Sequence, residues 1–170
     1  MATDYEEFYR ENRHGLGAPT REFVAFFNAF GRQGASVLDV GCGQGRDALF
    51  IARLGHFVQA IDLSPAGISD LRKDAAAEGL KIDAEVADIR DFTTRRRFDV
   101  IVIDRTLHML AADDRIVVLH KFLGFSKRNA FVLIADETSN IPAFKAALQS
   151  SRWKWSITLE RRGFLFAQRE

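Results

Sequence analysis

The chain has 170 residues and a formal net charge of +1, with 47% hydrophobic and 28% charged residues. Such a balance suits one folded domain with a substantial core, not a disordered chain, and gives no global electrostatic reason to expect nucleic acid as a partner. The single cysteine, Cys42, excludes an internal disulfide and a multi-cysteine zinc site, and it fits a reducing compartment.

In chain order, the opening MATDYEEFYREN is acidic and polar, unlike a signal peptide. No apolar run approaches the ~20 residues of a membrane span, so the expected location is the cytoplasm. Residues 5–12 predict a short helix with Tyr5, Phe8 and Tyr9 on one side. NRHGLGAP is a Gly- and Pro-punctuated loop. A second helix is expected from Thr20 to Phe30, with Phe23, Phe26, Phe27 and Phe30 in one apolar stripe facing the core.

The stretch SVLDVGCGQGRDALFIARLGHFVQAIDLS, residues 36–64, organises the rest. An apolar run, Ser36 to Val40, reads as a strand buried on both faces. Gly41, Gly43 and Gly45 follow at alternate positions, where a missing Cβ lets a ligand approach the backbone. A helical pattern runs from Arg46 to Gly55, and a second apolar run, Phe57 to Ile61, ends in Asp62. Strand, glycine turn, helix, strand and acid make the βαβ unit that binds nucleotides, with the acid placed for ribose hydroxyls. The dinucleotide fingerprint G-x-G-x-x-G fails at its sixth position, Arg46, and Asp39 stands two residues before the first glycine. A carboxylate there suits an ammonium better than a pyrophosphate, which argues against a nicotinamide oxidoreductase.

Further on, Ser64 and Pro65 start a helix that stops at Gly79. Ile82 to Val86 is a third strand, followed by Asp88 and Ile89. Arg95-Arg96-Arg97 reads as a solvated loop. Phe98 to Ile103 is a fourth strand, closing on Asp104-Arg105-Thr106-Leu107-His108-Met109. A helix from about Asp113 to Leu123 carries Ile116, Val117, Leu119, His120 and Leu123 along its apolar stripe. Phe131 to Ala135 is a fifth strand ending at Asp136-Glu137, and a helix spans Ile141 to Gln149. Trp153, Trp155, Ile157 and Leu159 alternate with polar residues as a strand, and Phe164 to Gln168 returns as the second arm of a hairpin. Alternation alone gives a doubly wound α/β sheet with seven strands.

The D-x-G-x-G-x-G pattern at Asp39 to Gly45 resembles the first motif of class I S-adenosylmethionine (SAM) methyltransferases. The resemblance covers essentially the whole chain. It implies a single domain, 1–170, with residues 1–34 as a helical cap segment. It also implies a Rossmann-like seven-stranded sheet of order 3-2-1-4-5-7-6 with strand 7 antiparallel. For the cofactor SAM, yielding S-adenosylhomocysteine (SAH), it implies that Asp39, Gly41, Cys42, Gly43 and Gly45 hold the amino-acid end. Asp62 would take the ribose, Leu63 would pack on adenine, and Asp88 and Ile89 would meet the adenine amine and ring nitrogen. Asp104 would stand beside the methionine portion, facing the methyl. Tyr5, Tyr9, Arg13 and His14 become substrate-pocket candidates.

The run from Gly41 to Ser64, continued by R-T-L-H-M-L at 105–110, is similar to the tellurite-resistance and thiopurine methyltransferase branch. That implies a small-molecule acceptor: a thiol, selenium or tellurium species. Arg46 and Arg105 would contact an oxyanion and His108 would serve as a base for an oxygen nucleophile. No D/N-P-P-Y/F motif and no P-C dipeptide point to nucleic-acid bases. Two alternatives stand. One is a metal-dependent O-methyltransferase with Mg²⁺ on Asp104 and Asp136, although Glu137 stands where that family has Asn. The other is a SAM-binding protein without turnover. No metal site is otherwise expected, and the oligomeric state is open.

Overall fold

A computed structural model describes residues 4–170; the first three residues of the expected cap segment lie outside the described part. The chain forms two compact units, Met1–Ile89 and Arg90–Glu170. In the first, α1 (Tyr5–Glu11) and α2 (Arg21–Ala29) precede β1 (Ser36–Val40), α3 (Arg46–Arg53), β2 (Phe57–Asp62), α4 (Pro65–Glu78) and β3 (Ile82–Val86). In the second, β4 (Phe98–Asp104) leads through a 3-10 turn, Leu107–Met109, to α5 (Ala112–Leu123) and β5 (Ser126–Ala135). A second 3-10 turn, Thr138–Asn140, α6 (Ile141–Ser150), β6 (Trp155–Arg161) and β7 (Phe164–Arg169) complete it. The seven strands have the order β3-β2-β1-β4-β5-β7-β6. β1 to β3 pair in parallel, as do β4 and β5, and β7 runs antiparallel to β5 and β6. The expected order and the reversed strand are both present.

Burial follows the apolar runs. β1 and β4 are almost wholly buried, as strands covered on both faces must be. Ser64 caps α4 by accepting the Gly67 N–H (3.0 Å), Pro65 fills its first position, and Gly79 ends it in the left-handed region.

Three elements differ from the sequence expectation. β5 is ten residues long rather than five. Its first part is exposed at Lys127, Arg128 and Asn129, Asn129 has φ 59°, and the register with β4 shifts between Phe98 and Val100. A polar, irregular stretch of this kind carries no alternation to read. The buried arc of α5 is Val118, Leu119, Phe122 and Leu123, while Val117 is 69% exposed. Phe122 turns this face inward by packing on Phe92 and Phe125. β6 starts at Trp155, and Trp153 lies before it between the guanidinium groups of Arg152 and Arg169, 3.9 and 4.1 Å from its ring centre. Such contacts hold an aromatic residue outside a strand.

The aromatic stripe of α2 is graded: Phe23 and Phe27 are buried, whereas Phe26 and Phe30 are half-buried. Phe23→Ala is expected to lower unfolding free energy by about 3–5 kcal/mol, the usual range for a fully buried phenylalanine. Phe26→Ala should cost clearly less. Chemical denaturation of both variants measures this, and equal losses would contradict the graded burial.

Candidate active site

In the first unit the glycine loop is built by backbone donors. The N–H groups of Gly41 and Cys42 both donate to Ile61 O (2.8 and 3.0 Å), which ties the loop to the end of β2. Asp62, the last residue of β2, accepts the Gly43 N–H at Oδ2 (2.8 Å) and the Ser64 N–H at Oδ1 (2.8 Å). Its carboxylate therefore bridges the loop and the start of α4. Burial pushes the Asp62 carboxyl above the usual carboxylate range, against the lowering effect of those N–H bonds.

Two apolar surfaces flank this acid. Leu63 is 67% exposed, and Val86, paired in register with Asp62, is 46% exposed. A charged acceptor between open apolar side chains has the chemistry to take a ribose with a purine beside it, so the residues present fit the cofactor of the resemblance. The Ala87 N–H donates to Asp62 O (2.9 Å), fixing the turn that carries half-buried Asp88 and buried Ile89. Asp39 is buried on β1. Cys42 is buried too, and its thiol is pushed up by burial and by Asp39 and Asp62, so it is inert at neutral pH.

The N-terminal segment is fastened over this loop. A Cβ on Gly43 would lie 2.3 Å from the Tyr9 hydroxyl, and one on Gly45 would lie 2.2 Å from Leu71 Cδ1. Both positions also have positive φ, so glycine is required twice over. Gln44 donates to Tyr9 O (3.3 Å), Asn12 O (3.0 Å) and Asp70 Oδ2 (3.0 Å), and accepts the Gly15 N–H (3.3 Å). Glu6 accepts the Ser64 hydroxyl and the Ala66 N–H (3.1 Å). The Ser64 and Ala66 bonds hold the Glu6 carboxyl below its ordinary range.

Of the expected substrate-pocket residues, Tyr9 is buried against the loop and Tyr5 packs on Phe8 and Tyr9. Arg13 donates to Asp74 (2.6 Å), and His14 lies 3.5 Å from the same carboxylate. Arg46 donates to Asp47 Oδ2 (2.7 Å) and Thr20 Oγ1 (3.0 Å), while the Thr20 N–H donates to Asp47 Oδ1 (2.9 Å). That geometry makes Arg46 an anchor of the N-terminal segment. Glu6, Gln44 and Asp47 escaped the sequence reading because their partners lie 26 to 60 positions away.

In the second unit the ends of β4 and β5 carry the other candidates. Asp104 closes β4, with Arg105 Nε 3.9 Å from its Oδ1. The Arg105 side chain is 77% exposed, and its backbone takes φ 49°, pinned by its N–H donating to Ala135 O (2.7 Å). A non-glycine residue there stores strain of the kind found at working sites. His108 sits on the 3-10 turn, and its N–H donates to Asp136 Oδ2 (3.1 Å). Asp136 Oδ1 accepts the Glu137 N–H (2.8 Å) and Asn140 Nδ2 (2.7 Å). Three N–H donors thus already meet Asp136, two on Oδ1 and one on Oδ2. Among the described residues no three His, Cys, Asp or Glu side chains gather as metal ligands, and no helix is long and apolar enough to cross a membrane.

A glycine loop after β1, an acid closing β2 and a 3-2-1-4-5-7-6 sheet define an α/β protein of the methyltransferase type. The comparisons agree. A family profile described as "Methyltransferase domain" matches residues 37–129. The chain is 32% identical over 102 residues to a 2-heptyl-1-hydroxyquinolin-4(1H)-one methyltransferase of Mycobacteroides abscessus, covering 59% of this chain and 44% of that protein. It is 39% identical over 90 residues to a ubiquinone biosynthesis O-methyltransferase of Xanthomonas euvesicatoria pv. vesicatoria, covering 52% and 37%. It thus spans less than half the length of these curated relatives. A solved TehB-like SAM-dependent methyltransferase from Corynebacterium glutamicum shares the fold, with a TM-score of 0.74, 22% identity, and coverage of 98% of this chain and 95% of that one. The chain belongs to the methyltransferase-domain family, the class I SAM-dependent methyltransferases.

The raised Asp62 carboxyl has a testable sign. An unfolded aspartate titrates near ~3.9, and the folded group titrates higher. Its contribution to stability is therefore fully present below the unfolded value and lost as pH rises through the folded one. Unfolding free energies of wild type and Asp62→Asn, measured from about pH 3 to pH 7, should show wild type losing ground as pH rises. A difference that stays flat or moves the other way would contradict the burial.

Proposed function

We propose that the chain transfers a methyl group from SAM to a small-molecule acceptor, its two units working as one methyltransferase domain. The family match runs through residues of both units, which supports this reading. The observation that carries it is the Asp62 carboxylate, tied to the glycine loop and to α4, with exposed Leu63 and Val86 on either side.

In this reading SAM supplies a methyl group on a good leaving group, so catalysis is mostly alignment. Asp39 and the Gly41–Gly45 loop hold the amino-acid end. Asp62 takes the ribose hydroxyls, Leu63 covers adenine, and Asp88 with Ile89 reads its edge. Asp104 and exposed Arg105 are the second unit's candidates, for the methionine portion and for an anionic acceptor. Arg46, engaged with Asp47 and Thr20, holds the N-terminal segment rather than a substrate.

For the acceptor, a thiol, selenium or tellurium species rests on the likeness of residues 41–64 and 105–110 to the tellurite-resistance branch. An oxygen acceptor draws support from the O-methyltransferase name of one relative and the hydroxyquinolinone named for the other.

Calorimetric titration with SAH, with NADH and Mg²⁺ as controls, tests the cofactor. Micromolar-range binding of SAH and no heat from NADH are expected, whereas no SAH binding would remove the reading. Asp62→Ala should weaken SAH binding by about 1–3 kcal/mol, the loss of a charge-assisted hydrogen bond, and unchanged affinity would remove the ribose assignment. Binding without methyl transfer to any acceptor would favour a SAM-binding protein without turnover.

A further inference from the structure

A polar network in the second unit ends on one histidine. Arg115, on α5, spends its guanidinium on three acceptors: Leu110 O (2.8 Å), His108 O (3.0 Å) and Asn140 Oδ1 (2.8 Å). Asn140 passes its other end, Nδ2, to Asp136 Oδ1. The two oxygens of Asp136 then divide their work. Oδ1 accepts from Asn140 and the Glu137 N–H, which closes the turn after β5. Oδ2 accepts the His108 N–H and lies 3.8 Å from His108 Nδ1.

If Asp136 served only to close its own turn, Oδ1 would suffice. Its second oxygen faces an imidazole nitrogen that is buried and makes no hydrogen bond. Leaving such a nitrogen unmatched is unfavourable, and closing by about an ångström would satisfy it. Catalytic hydrogen bonds are commonly this long before substrate arrives. The Asp136 side chain is fully buried, and the His108 side chain keeps 26% of its surface exposed.

We propose that Asp136, held by Asn140 and Arg115, positions His108 as the general base of the methyl transfer, and that the acceptor is a small molecule bearing a hydroxyl. The inference rests on the methyltransferase reading above and narrows its acceptor. A carboxylate at Nδ1 keeps the proton on that nitrogen, which leaves the Nε2 lone pair as the acceptor. Soft sulfur and selenium nucleophiles need no such base, whereas an alcohol or phenol does. His108 Nε2 takes the hydroxyl proton as the oxygen pair forms the bond to the methyl carbon. The methyl–sulfur bond breaks with its pair left on sulfur, giving the methyl ether, a neutral thioether and an imidazolium that returns its proton to water. His108 is the catalytic residue; Asp136, Asn140 and Arg115 are positioning residues.

The tautomer can be read without cofactor or turnover. In ¹⁵N-labelled protein at a pH where the ring is neutral, with His108 assigned by its loss in His108→Gln, the imidazole should carry its proton on Nδ1. Asp136→Asn should shift it toward Nε2–H. Methyl transfer from SAM is then assayed on phenol, thiophenol and selenite. His108→Gln should lose about 10²–10⁴-fold in kcat with phenol, the usual worth of a general base, with SAH affinity unchanged. Asp136→Asn should lower kcat rather than raise KM. A wild-type Nε2–H ring, wild-type turnover of phenol by His108→Gln, or transfer to thiophenol or selenite but not to phenol would each overturn the proposal. Failure to bind SAH would fault the parent reading instead, and the tautomer would still judge the dyad.

Discussion

One carboxylate at the end of β2 joins the pieces on which the first unit depends. Asp62 holds the Gly43 and Ser64 N–H groups at once. The start of a helix leaves backbone donors without partners, and negative charge is favoured there. Here α4 meets two carboxylates, because Glu6 takes the Ala66 N–H and the Ser64 hydroxyl. The two acids respond differently. Glu6 is held below its ordinary range by its hydrogen bonds, whereas burial dominates at Asp62 and raises it. A buried acid that tolerates this penalty suits a ligand whose hydroxyls bring hydrogen bonds to it, and the strain is local to the loop that would receive them.

The glycines turn this electrostatic junction into a packed one. Without a Cβ on Gly43, the Tyr9 ring sits against the loop, and Gly67 lets α4 approach the Gly43 carbonyl in turn. A side chain at either place would push α1 away from α4 and pull Glu6 from Ser64. Gln44, between two of these glycines, then closes the segment 9–15 with its amide. The loop is thus the floor on which the N-terminal segment rests. Tyr9, Arg13 and Arg46 all make contacts that fasten that segment.

How much was legible in the sequence follows from the range of each interaction. The closing residues of β1, β3 and β5, the glycine loop, the α4 cap and Asp62 are local patterns, and all lie where the sequence places them. The strand order came from family resemblance, because alternation says nothing about which strands neighbour. The face of α5 was misread by one position: Val117 and Val118 have the same chemistry, and only packing of Phe122 on Phe92 and Phe125 chooses between them. The first half of β5 carries Lys127, Arg128 and Asn129 and reads as a loop. Roles such as those of Glu6, Gln44 and Arg115 depend on partners brought close by folding, and no spacing rule encodes them.

The arrangement around His108 also has a reason for its indirectness. A guanidinium paired directly with Asp136 would draw the carboxylate's charge toward itself and weaken its pull on the imidazole. Asn140 stands between them instead, accepting from Arg115 with its oxygen and donating to Asp136 with its amide nitrogen. A neutral relay keeps the geometry of a charged pair while leaving the negative charge facing His108, and hydrogen bonds in such chains reinforce one another. Arg115 meanwhile fixes the carbonyls of His108 and Leu110, so the backbone under the imidazole is held by the same cation. The ring is steered from both ends by groups that never need to touch a substrate, which separates the positioning of the base from the recognition of the acceptor.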